Sequence, residues 1–411
     1  MRLVEFPLHA SLEGFDVVDE ELVIGGIGLR RLAERVGATP FYAYSRSILE
    51  ARARTLRAQL PAGVHLHYAI KANPMPAVVQ LLSQFTDGLD VASGREMRVA
   101  LDTGVSPSLI SFAGPGKSEA EISQAVAAGV TLNLESERQL DQALAAGHRL
   151  GVAPQLALRV NPSFELKGSG MKMGGGAKPF GIDEARIPAL AARIEAEGLA
   201  LVGFHIYSGS QNLNAAALIE AQRLTVELGL KLAGALRSGV RWINIGGGFG
   251  VPYFPGDKPL DTAVVLDALA PLAQAARTSA DAHLVIELGR YLVAPAGVYV
   301  CRVIDRKVSE GQVFLVVDGG LHHHLAASGN FGQVIRKNYP VAIGTAMGRA
   351  QCAVQSVVGP LCTPLDLLGD RMSLPLADVG DLVVVFQSGA YGPSASPTRF
   401  LSHPEPLEVL V

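Results

Sequence analysis

The stretch Leu66-His67-Tyr68-Ala69-Ile70-Lys71-Ala72-Asn73 decides the fold that this sequence predicts. Its aromatic and aliphatic residues are typical of a buried strand, and a lysine followed by a turn ends it. An ordinary surface lysine needs no apolar lead-in. A lysine that forms a Schiff base needs an apolar environment. Its amine must lose a proton to attack a carbonyl, and burial lowers the pKa of the amine. The stretch therefore predicts a strand that presents Lys71 as a candidate catalytic residue.

Seven more strand-like runs follow, and helical segments with apolar residues at i, i+3 and i+4 separate them. The eight runs cover residues 65–70, 88–92, 108–112, 130–134, 155–160, 200–206, 241–245 and 283–288. The helical segments include residues 119–128, 136–146, 183–197 and 215–238. Parallel strands need crossover helices and bury both faces, so eight such alternations predict a parallel (β/α)8 barrel.

The pattern changes after residue 290. Short strands separated by Pro and Gly replace the helical periodicity, at residues 298–303, 313–317, 353–358 and 382–386. They predict an all-β second domain, to which the N-terminal residues add a strand. The predicted fold class is α/β plus all-β, with the barrel over residues 41–290 and the β domain over residues 1–40 and 291–411.

The composition excludes several classes of protein. Of 411 residues, 49% are hydrophobic and 18% are charged, as in a folded globular protein. The net charge of −3 without a basic stripe argues against a nucleic-acid partner. No apolar run is long enough for a membrane span, and no signal-peptide core is present, so we expect a cytoplasmic protein. Cys301, Cys352 and Cys362 are widely spaced and odd in number, which favours free thiols over disulfides or a zinc site.

Polar residues gather at the C-terminal ends of the predicted strands, where barrels carry their chemistry. They are Lys71, Asp90, Arg159, His205, Tyr207, Ser210, Glu287 and Arg290, and the glycines Gly246, Gly247 and Gly248 lie at the same rim. Random placement would scatter polar residues over both rims of the barrel. The sequence therefore predicts a functional site at the C-terminal rim.

The triple glycine 246–248 exposes backbone N–H groups and lets a ligand come close, which suits a phosphate. A dinucleotide-binding loop would open a helix and carry an acidic residue about 20 positions on, whereas Pro252 and Pro255 follow here. A purely structural turn stays open as an alternative. Arg290 and Ser210 are candidate phosphate partners, because they offer a fork of N–H donors and a hydroxyl.

Other features allow two interpretations each. A buried Glu287 needs a positive partner, either a protonated pyridine nitrogen or Arg290. The run 322–324 of three histidines invites a metal, but consecutive side chains cannot all face one ion, so no metal is predicted. Cys362 lies in a turn-rich stretch, and its thiol is either reactive or inert. Tyr391 stands between glycines and is exposed either to a ligand or to a partner chain.

Six motifs occur in an order that resembles one family. They are YAIKAN at 68–73, DVAS at 90–93, GGGF at 246–249, ELGR at 287–290, Cys362 and GAY at 389–391. The chain resembles the fold-type III pyridoxal-phosphate-dependent decarboxylases, the group of diaminopimelate and ornithine decarboxylases. The resemblance covers nearly the whole chain and implies an alanine-racemase-like barrel with a C-terminal β domain.

The resemblance also implies a cofactor and roles for these residues. Lys71 would hold pyridoxal 5′-phosphate covalently, and Glu287 would pair with its ring nitrogen. Cys362, from the other subunit of a head-to-tail homodimer, would return a proton to Cα after CO₂ has left. The other cofactor-binding residues would be Asp90, Arg159, His205, Tyr207, Ser210, Gly246, Gly247, Gly248, Arg290 and Tyr391. Those that bind substrate would be Arg290, Thr363, Asp366 and Tyr391.

Three departures from the family pattern bear on the substrate. Thr363 stands where diamine and diaminopimelate enzymes carry an acidic residue, although Asp366 follows. The segment after the Asp-Gly-Gly of 318–320 lacks the arginine of relatives that act on diaminopimelate. Tyr207 takes the register of the ring-stacking histidine, and His205 lies two residues earlier on the same strand face.

CTP at 362–364 and the pattern GAYG…FLSHP within 389–404 resemble a subgroup that acts on modified or carrier-linked amino acids. It includes siderophore-pathway and aminoglycoside-pathway members, and residues 171–180 resemble members encoded near exosortase systems. This implies decarboxylation of a modified or carrier-protein-linked L-amino acid, with an acyl carrier protein as partner. Lys167, Lys172 and Lys178 would meet an anionic phosphopantetheine arm, or would belong to a solvated loop. Diaminopimelate, lysine or ornithine is the alternative substrate.

Two other classes of function are weighed against the decarboxylase. Racemases of this architecture usually set an arginine against the ring nitrogen, so Glu287 argues against a racemase. Non-catalytic regulators that bind pyridoxal phosphate commonly lose the lysine or the cysteine, and this chain keeps both Lys71 and Cys362.

Overall fold

The structure is a computed structural model that describes residues 8–12, 14–164, 171–172 and 174–411. It divides into two compact units. The barrel unit comprises Ala53–Val251 and Leu260–Gly289, and the β unit comprises the described part of Met1–Arg52 together with Pro252–Pro259 and Arg290–Val411. Within the described ranges, every helix is too short or too polar to cross a lipid bilayer.

Strands and helices are numbered in chain order. The strands are β1 (Asp16–Val18), β2 (Glu21–Ile24), β3 (Ile27–Gly28), β4 (Phe41–Tyr44), β5 (Val64–Ala69), β6 (Gly88–Val91), β7 (Ile110–Phe112), β8 (Thr131–Leu134), β9 (Leu156–Asn161), β10 (Met171–Lys172), β11 (Ile182–Asp183), β12 (Leu201–Ile206), β13 (Gly209–Ser210), β14 (Trp242–Asn244), β15 (His283–Leu288), β16 (Gly297–Ser309), β17 (Gln312–Val317), β18 (Val341–Ile343), β19 (Cys352–Val358), β20 (Leu367–Pro375), β21 (Leu382–Val385) and β22 (Leu407–Leu410). The helices are α1 (Leu29–Val36), α2 (Arg46–Gln59), α3 (Pro76–Leu82), α4 (Gly94–Asp102), α5 (Glu119–Ala128), α6 (Glu137–Leu150), α7 (Ile187–Ala196), α8 (Ala215–Ala233), α9 (Thr262–Asp267), α10 (Leu269–Ala280) and α11 (Arg290–Val293).

Eight strands of the barrel unit pair in parallel and close on themselves. Their order is β5, β6, β7, β8, β9, β12, β14 and β15, and β15 pairs with β5 to complete the ring. Helical crossovers join neighbouring strands, because parallel strands cannot be connected by a tight turn. The predicted (β/α)8 barrel is confirmed, and each of the eight predicted runs overlaps one of these strands.

Serine side chains fix where three crossover helices begin. Ser93, Ser118 and Ser136 each accept a hydrogen bond from a backbone N–H in the first turn of α4, α5 and α6. Glu121 completes a capping box with Ser118. These caps satisfy N–H groups that a helix leaves open at its start, and so they fix the first residue of each helix. The starts of α4 and α6 lie three residues after the ends of β6 and β8, and the start of α5 lies seven residues after the end of β7.

The β unit contains a mixed sheet in the order β18, β21, β16, β17, β19 and β20, and β4 pairs with both β16 and β22. The strands β1 to β3 form a separate antiparallel sheet. Residues of β4, β16 and β21 share one hydrophobic core with the N-terminal segment, and this core includes Phe41, Val298, Val300 and Val384. The four strands predicted after residue 290 are present, and β18, β20 and β22 join them.

The two units divide the chain differently from the predicted boundaries of 41 and 290. Phe41–Tyr44 is β4, and its hydrogen-bonded partners β16 and β22 belong to the β unit. Pro252–Pro259 also belongs there, where the ring of Tyr253 stacks on that of Tyr339 with 4.7 Å between centroids. Both assignments depend on partners far away in sequence, which local periodicity does not contain.

Candidate active site

Each strand of the closed barrel carries at least one polar side chain that is buried or nearly so. We call one set of these residues, taken from successive strands, the polar ring: His67, Asp90, Ser111, Asn133, Arg159, His205, Asn244 and Glu287. Polar groups are costly to bury unless they find partners, so a buried polar side chain on each strand needs an explanation. Asp90, Arg159, His205 and Glu287 were predicted from the sequence, and the other four were not.

Asp90 is the centre of one half of the polar ring. Its Oδ1 accepts a hydrogen bond from the hydroxyl of Ser111, and Asn133 in turn donates to that hydroxyl at 3.2 Å. Nδ1 of His67 lies 3.3 Å from the same Oδ1. Oδ2 of Asp90 has no hydrogen-bond partner among the described residues. A buried carboxylate with one oxygen left over is suited to accept a hydrogen bond from a ligand.

Glu287 is the centre of the other half. Asn244 donates to its Oε2 at 3.3 Å, and Nε2 of His205 lies 3.1 Å from the same oxygen, within ion-pair distance but not aligned as a hydrogen bond. Burial alone would raise the pKa of Glu287. Its interaction with His205 and the charge of Lys71 outweigh burial and hold that pKa well below its ordinary value. Glu287 is therefore a carboxylate at neutral pH, suited to a protonated ring nitrogen.

Lys71 lies in the single helical turn Ile70–Ala72 that follows β5. Its Nζ is 5.4 Å from the centre of the Tyr207 ring. The ring of His205 is turned toward Glu287, and its centre is 6.4 Å from that of Tyr207. Of the two rings that the sequence left open, Tyr207 is therefore the one that faces the amine.

Glu96 of α4 is an acidic neighbour of Lys71 that the sequence analysis missed. Burial raises the pKa of Glu96, while a hydrogen bond from the backbone N–H of Ala92 and the charge of Lys71 act to lower it. Its spacing from Ser93, the residue that caps α4, is a usable sequence signal, because Ser-x-x-Glu marks the start of a helix. The signal locates the helix but does not reveal the lysine.

The glycine loop after β14 lies against the segment that carries Ser210. A Cβ on Gly247 would lie 2.0 Å from the carbonyl oxygen of Glu287, and one on Gly248 would lie 2.6 Å from that of Gly209. The hydroxyls of Ser208 and Ser210 are buried and have no partner among the described residues. Two unused hydroxyls beside a bare backbone loop suit an anion such as a phosphate.

Arg159 forms an ion pair within the barrel unit. Its guanidinium donates to Oε1 of Glu135 at 2.8 Å, and Oε2 of Glu135 accepts from the backbone N–H of Gly181 at 3.0 Å. Lys117 is buried nearby, and burial lowers its pKa to about 8. Its Nζ donates to two carbonyl oxygens at 2.8 Å, so this second buried lysine holds backbone together. Contact between Arg159 and a cofactor stays a prediction.

Within the β unit, Arg290 begins α11, close after the end of β15. It donates to the hydroxyl of Tyr253 at 3.2 Å, and its guanidinium lies 4.6 Å from the centre of the Tyr391 ring. Tyr391 has a φ of +53°, a left-handed conformation that is uncommon outside glycine and is frequent at ligand sites. The predicted pair Arg290 and Tyr391 is therefore close together, and Tyr253 is a partner that the sequence analysis missed.

The cysteine loop, residues 359–366 of the β unit, presents an exposed free thiol at Cys362. The hydroxyl of Thr363 accepts from the backbone N–H of Leu365 at 3.3 Å. Asp366 is buried, and its two oxygens accept from the backbone N–H groups of Leu321 at 2.6 Å and Leu361 at 2.9 Å. This geometry differs from the substrate-binding role predicted for Asp366, because both of its oxygens are occupied by its own chain.

The three histidines are buried. His323 contacts the hydroxyl of Tyr299 at 3.0 Å and the carbonyl oxygen of Pro404 at 2.8 Å, and His324 contacts Ser388 at 2.9 Å. In the part of the chain that the structure describes, no group of three or more His, Cys, Asp or Glu is arranged to hold a metal ion.

Of the lysines predicted to meet an anionic arm, Lys167 and the side chain of Lys172 lie outside the described residues. Lys178 is half-buried.

The fold and the site together define a (β/α)8-barrel enzyme with a lysine, an ionised carboxylate and a glycine loop at the C-terminal ends of its strands. Residues 46–294 match the family model described as pyridoxal-dependent decarboxylase, pyridoxal binding domain. The chain belongs to this family of pyridoxal-dependent decarboxylases. It is an amino-acid decarboxylase whose cofactor is pyridoxal phosphate, as the resemblance in sequence implied.

Individual relatives agree with the family match. The chain is 38% identical to the L-glutamyl-[BtrI acyl-carrier protein] decarboxylase of Niallia circulans, over 90% of this chain and 88% of that protein. It is 32% identical to the diaminopimelate decarboxylase of Aquifex aeolicus, over 96% of this chain and 91% of that protein. The crystal structure of diaminopimelate decarboxylase from M. jannaschii with L-lysine superposes with a TM-score of 0.85 at 27% identity, covering 97% of this chain and 93% of that one.

Proposed function

We propose that this enzyme removes the α-carboxylate of an L-amino acid that is modified or linked to a carrier protein. The observation that carries the proposal is that the cysteine loop offers no free carboxylate to a substrate. A free diamine precursor has a distal ammonium group, which needs an anionic partner when it is taken out of water. Asp366 is the only acidic residue of the loop, and its carboxylate is buried on two backbone N–H groups. Thr363, next to the thiol, is neutral.

The relative from Niallia circulans also supports a carrier-linked substrate, because its name states that it acts on a glutamyl group carried by a protein. Such a substrate has an amide or thioester arm in place of a distal ammonium group. We therefore expect an acyl carrier protein to be the partner. The arm needs no counter-ion, and the loop offers it the neutral Thr363, because the carboxylate of Asp366 is held by backbone N–H groups. The chemistry of Thr363 therefore fits this substrate class.

The residues of the barrel unit fit the cofactor. Lys71 would hold it covalently through Nζ, and the carboxylate of Glu287 would accept the N–H of its ring. Tyr207 would lie against the ring, since its own ring faces the lysine. The unused hydroxyl of Ser210 and the N–H groups of residues 246–248 would receive the phosphate. Asp90 would contribute its free Oδ2.

Arg290, Tyr391 and Arg159 remain proposed contacts of the cofactor or the substrate. Arg290 offers a guanidinium fork for a phosphate or a carboxylate, and Tyr391 carries a phenol in a strained backbone beside it. Arg159 would contact the cofactor, and Glu135 would hold its guanidinium in place at 2.8 Å.

Pyridoxal phosphate, when bound, takes up the electron pair that is released as CO₂ leaves. Glu287 favours this by keeping a proton on the ring nitrogen. Cys362 then returns a proton: its Sγ–H bond breaks, a Cα–H bond forms, and the thiolate regains a proton from solvent. We propose that Cys362 does this in the site of the other subunit of a cytoplasmic homodimer, and its exposure in the single chain agrees with such a role.

The substrate class can be tested by measuring CO₂ release from a panel of amino acids. The panel comprises L-glutamate, L-lysine, L-ornithine, meso-diaminopimelate and an L-glutamyl thioester on an acyl carrier protein. We expect the carrier-linked substrate to have the highest kcat/KM. Robust turnover of any free diamine precursor would defeat the proposal.

A variant sharpens this test. Thr363→Glu places an acidic residue beside the thiol, and we expect it to raise turnover of diaminopimelate or lysine and to lower turnover of the carrier-linked substrate. Leu365→Glu is the matched control, because Leu365 is exposed two residues further along the same loop. Equal effects of the two variants would show that residue 363 does not determine substrate specificity.

A further inference from the structure

Asp366 joins two segments of the β unit that are distant in sequence. Its Oδ1 accepts from the N–H of Leu321, and its Oδ2 accepts from the N–H of Leu361. The carboxylate is buried, so these two bonds are shielded from water. Leu361 precedes Cys362 directly, and the carboxylate therefore holds the backbone next to the thiol.

The backbone around this carboxylate is packed too closely for side chains. A Cβ on Gly320 would lie 2.1 Å from Oδ1 of Asp366, and a Cβ on Gly359 would lie 2.2 Å from Oδ2. Glycine at both positions lets the two segments close around the carboxylate. The close fit leaves Asp366 little freedom and ties the start of the cysteine loop to the segment that follows Gly320.

The remaining hydrogen bonds of the cysteine loop are mostly local. The N–H of Gly359 donates to the carbonyl of Asp366 at 3.0 Å, and the N–H of Asp366 donates to the carbonyl of Thr363 at 3.2 Å. Asn330 reaches the loop from outside through the carbonyl of Leu365, at 3.2 Å. The charge-assisted bonds of Asp366 are stronger than these neutral ones, so they dominate the position of the loop.

We propose that Asp366 is a positioning residue that fixes the backbone of Cys362, so that the thiol delivers its proton to Cα and not to another atom. The inference rests on the role proposed above for Cys362. Asp366 does not touch the reacting atoms in this account. It acts through the N–H of Leu361, and the side chain that it positions is that of the next residue.

Thiol labelling tests the positioning without any substrate. In a Cys352→Ser background, Cys362 is the one exposed cysteine and the buried Cys301 reports unfolding. Asp366→Asn keeps the shape but turns an NH₂ group toward one of the two N–H donors. In the homodimeric holoenzyme, where the partner subunit is expected to cover the thiol, we expect iodoacetamide to label Cys362 at least roughly tenfold faster in this variant, while Cys301 stays unlabelled. Asp370→Asn is the control, because Asp370 pairs with the exposed Arg371 at 3.6 Å.

Product analysis tests the consequence for the reaction, with whichever panel substrate releases CO₂ fastest. A proton placed on the cofactor instead of Cα leads, after hydrolysis, to an aldehyde in place of the amine. We expect Asp366→Asn and Cys362→Ala to raise the aldehyde fraction to a similar extent, and the double variant to raise it no further. A residue needed only for folding would lower the active fraction and leave the ratio of products unchanged.

Two outcomes overturn the inference while leaving Cys362 in its proposed role. One is an unchanged labelling rate and product ratio in Asp366→Asn when Cys362→Ala raises the aldehyde fraction. The other is parallel labelling of Cys301 and Cys362 in both Asp366→Asn and Asp366→Ala, which would make Asp366 a residue of the whole fold. If Cys362→Ala itself leaves the products unchanged, the proposed proton donor fails and the inference fails with it.

Discussion

The barrel unit and the β unit both bury polar side chains, but the two sets differ in how many of their atoms find partners. In the barrel unit, the polar atoms at the C-terminal ends of the strands include several that have no partner among the described residues: Oδ2 of Asp90, Nδ1 of His205 and the hydroxyls of Ser208 and Ser210. In the β unit, His323, His324 and Asp366 are satisfied by their own chain. The exceptions there, among the described residues, are both nitrogens of His322, whose ring lies 3.7 Å from that of His323, and the side-chain oxygens of Gln355 and Gln387.

The difference separates a binding site from a structural cluster. A buried polar group that its own chain satisfies stabilises one arrangement of the backbone. A buried polar group that its own chain leaves open is costly unless a ligand supplies the partner. The three consecutive histidines look like a metal site in sequence, yet His323 and His324 have partners in their own chain. The polar ring gives no such signal in sequence, yet Oδ2 of Asp90 and Nδ1 of His205 have no partner among the described residues.

The largest effect should come from removing the charge in the barrel unit that faces the cofactor. Glu287→Gln keeps the shape of the side chain but no longer holds a proton on the ring nitrogen. We expect kcat to fall roughly 10²- to 10³-fold, the range for losing one preorganised electrostatic partner. Steady-state CO₂ release measures it. Glu220→Gln, an exposed carboxylate on α8 of the same unit, should keep full activity; a similar loss there, or none at Glu287, would contradict the assignment.

The histidines of the β unit should make the fold sensitive to acid. Burial lowers the pKa of His322 to about 3, of His323 to about 4 and of His324 to about 3. In the unfolded chain, the pKa of a histidine is about 6.5. The unfolded chain therefore binds more protons between these values. The stability that these groups contribute is complete above about pH 6.5 and is lost as the pH falls below it.

Between about pH 7.5 and about pH 5, we expect each histidine to lower the free energy of unfolding by up to about 2 kcal/mol, and the three together by at most about 6 kcal/mol. Denaturant titration at several pH values measures this. His324→Phe should show a shallower pH dependence, and His148→Gln, exposed on α6, should keep the wild-type slope. Identical slopes in all three proteins would mean that the buried histidines do not set the acid response.

A matched pair of serines should show a smaller effect and tests the comparison directly. Ser210→Ala removes a hydroxyl that has no partner among the described residues, so stability without cofactor should change little. Affinity for pyridoxal phosphate should weaken by about 1.5–3 kcal/mol, the strength of a hydrogen bond to a charged group. Ser388→Ala removes the partner of His324 and should do the reverse, lowering stability and sparing affinity. Cofactor titration and thermal unfolding of both variants would reveal whether the two regions differ as stated.

Most of the barrel could be predicted from the sequence, because hydrophobic periodicity and the residue composition of strands are local properties. The predicted helix 119–128 coincides with α5, where a serine cap and a terminal glycine mark both ends. The domain boundary at residue 41 differed from the structure because β4 looks like an ordinary strand. Only its pairing with β16 and β22, more than 250 residues away, assigns it to the β unit.

The site was predicted less completely. His67, Ser111, Asn133 and Asn244 were missed because a single polar residue inside an apolar strand has many ordinary explanations. They become visible only as a set, one to a strand, once the barrel closes. The occupied oxygens of Asp366 could not be predicted, since their partners are backbone N–H groups brought together by the fold.

The central claim is that Lys71, at the end of β5, holds the cofactor. The most direct test is to reduce the holoenzyme with borohydride, digest it and locate the cofactor-derived mass by peptide mass spectrometry. The modification should lie on the peptide that contains Lys71, and Lys71→Ala should carry none. A modified lysine elsewhere, such as the buried Lys117, or a holoenzyme with no covalent modification, would contradict the account.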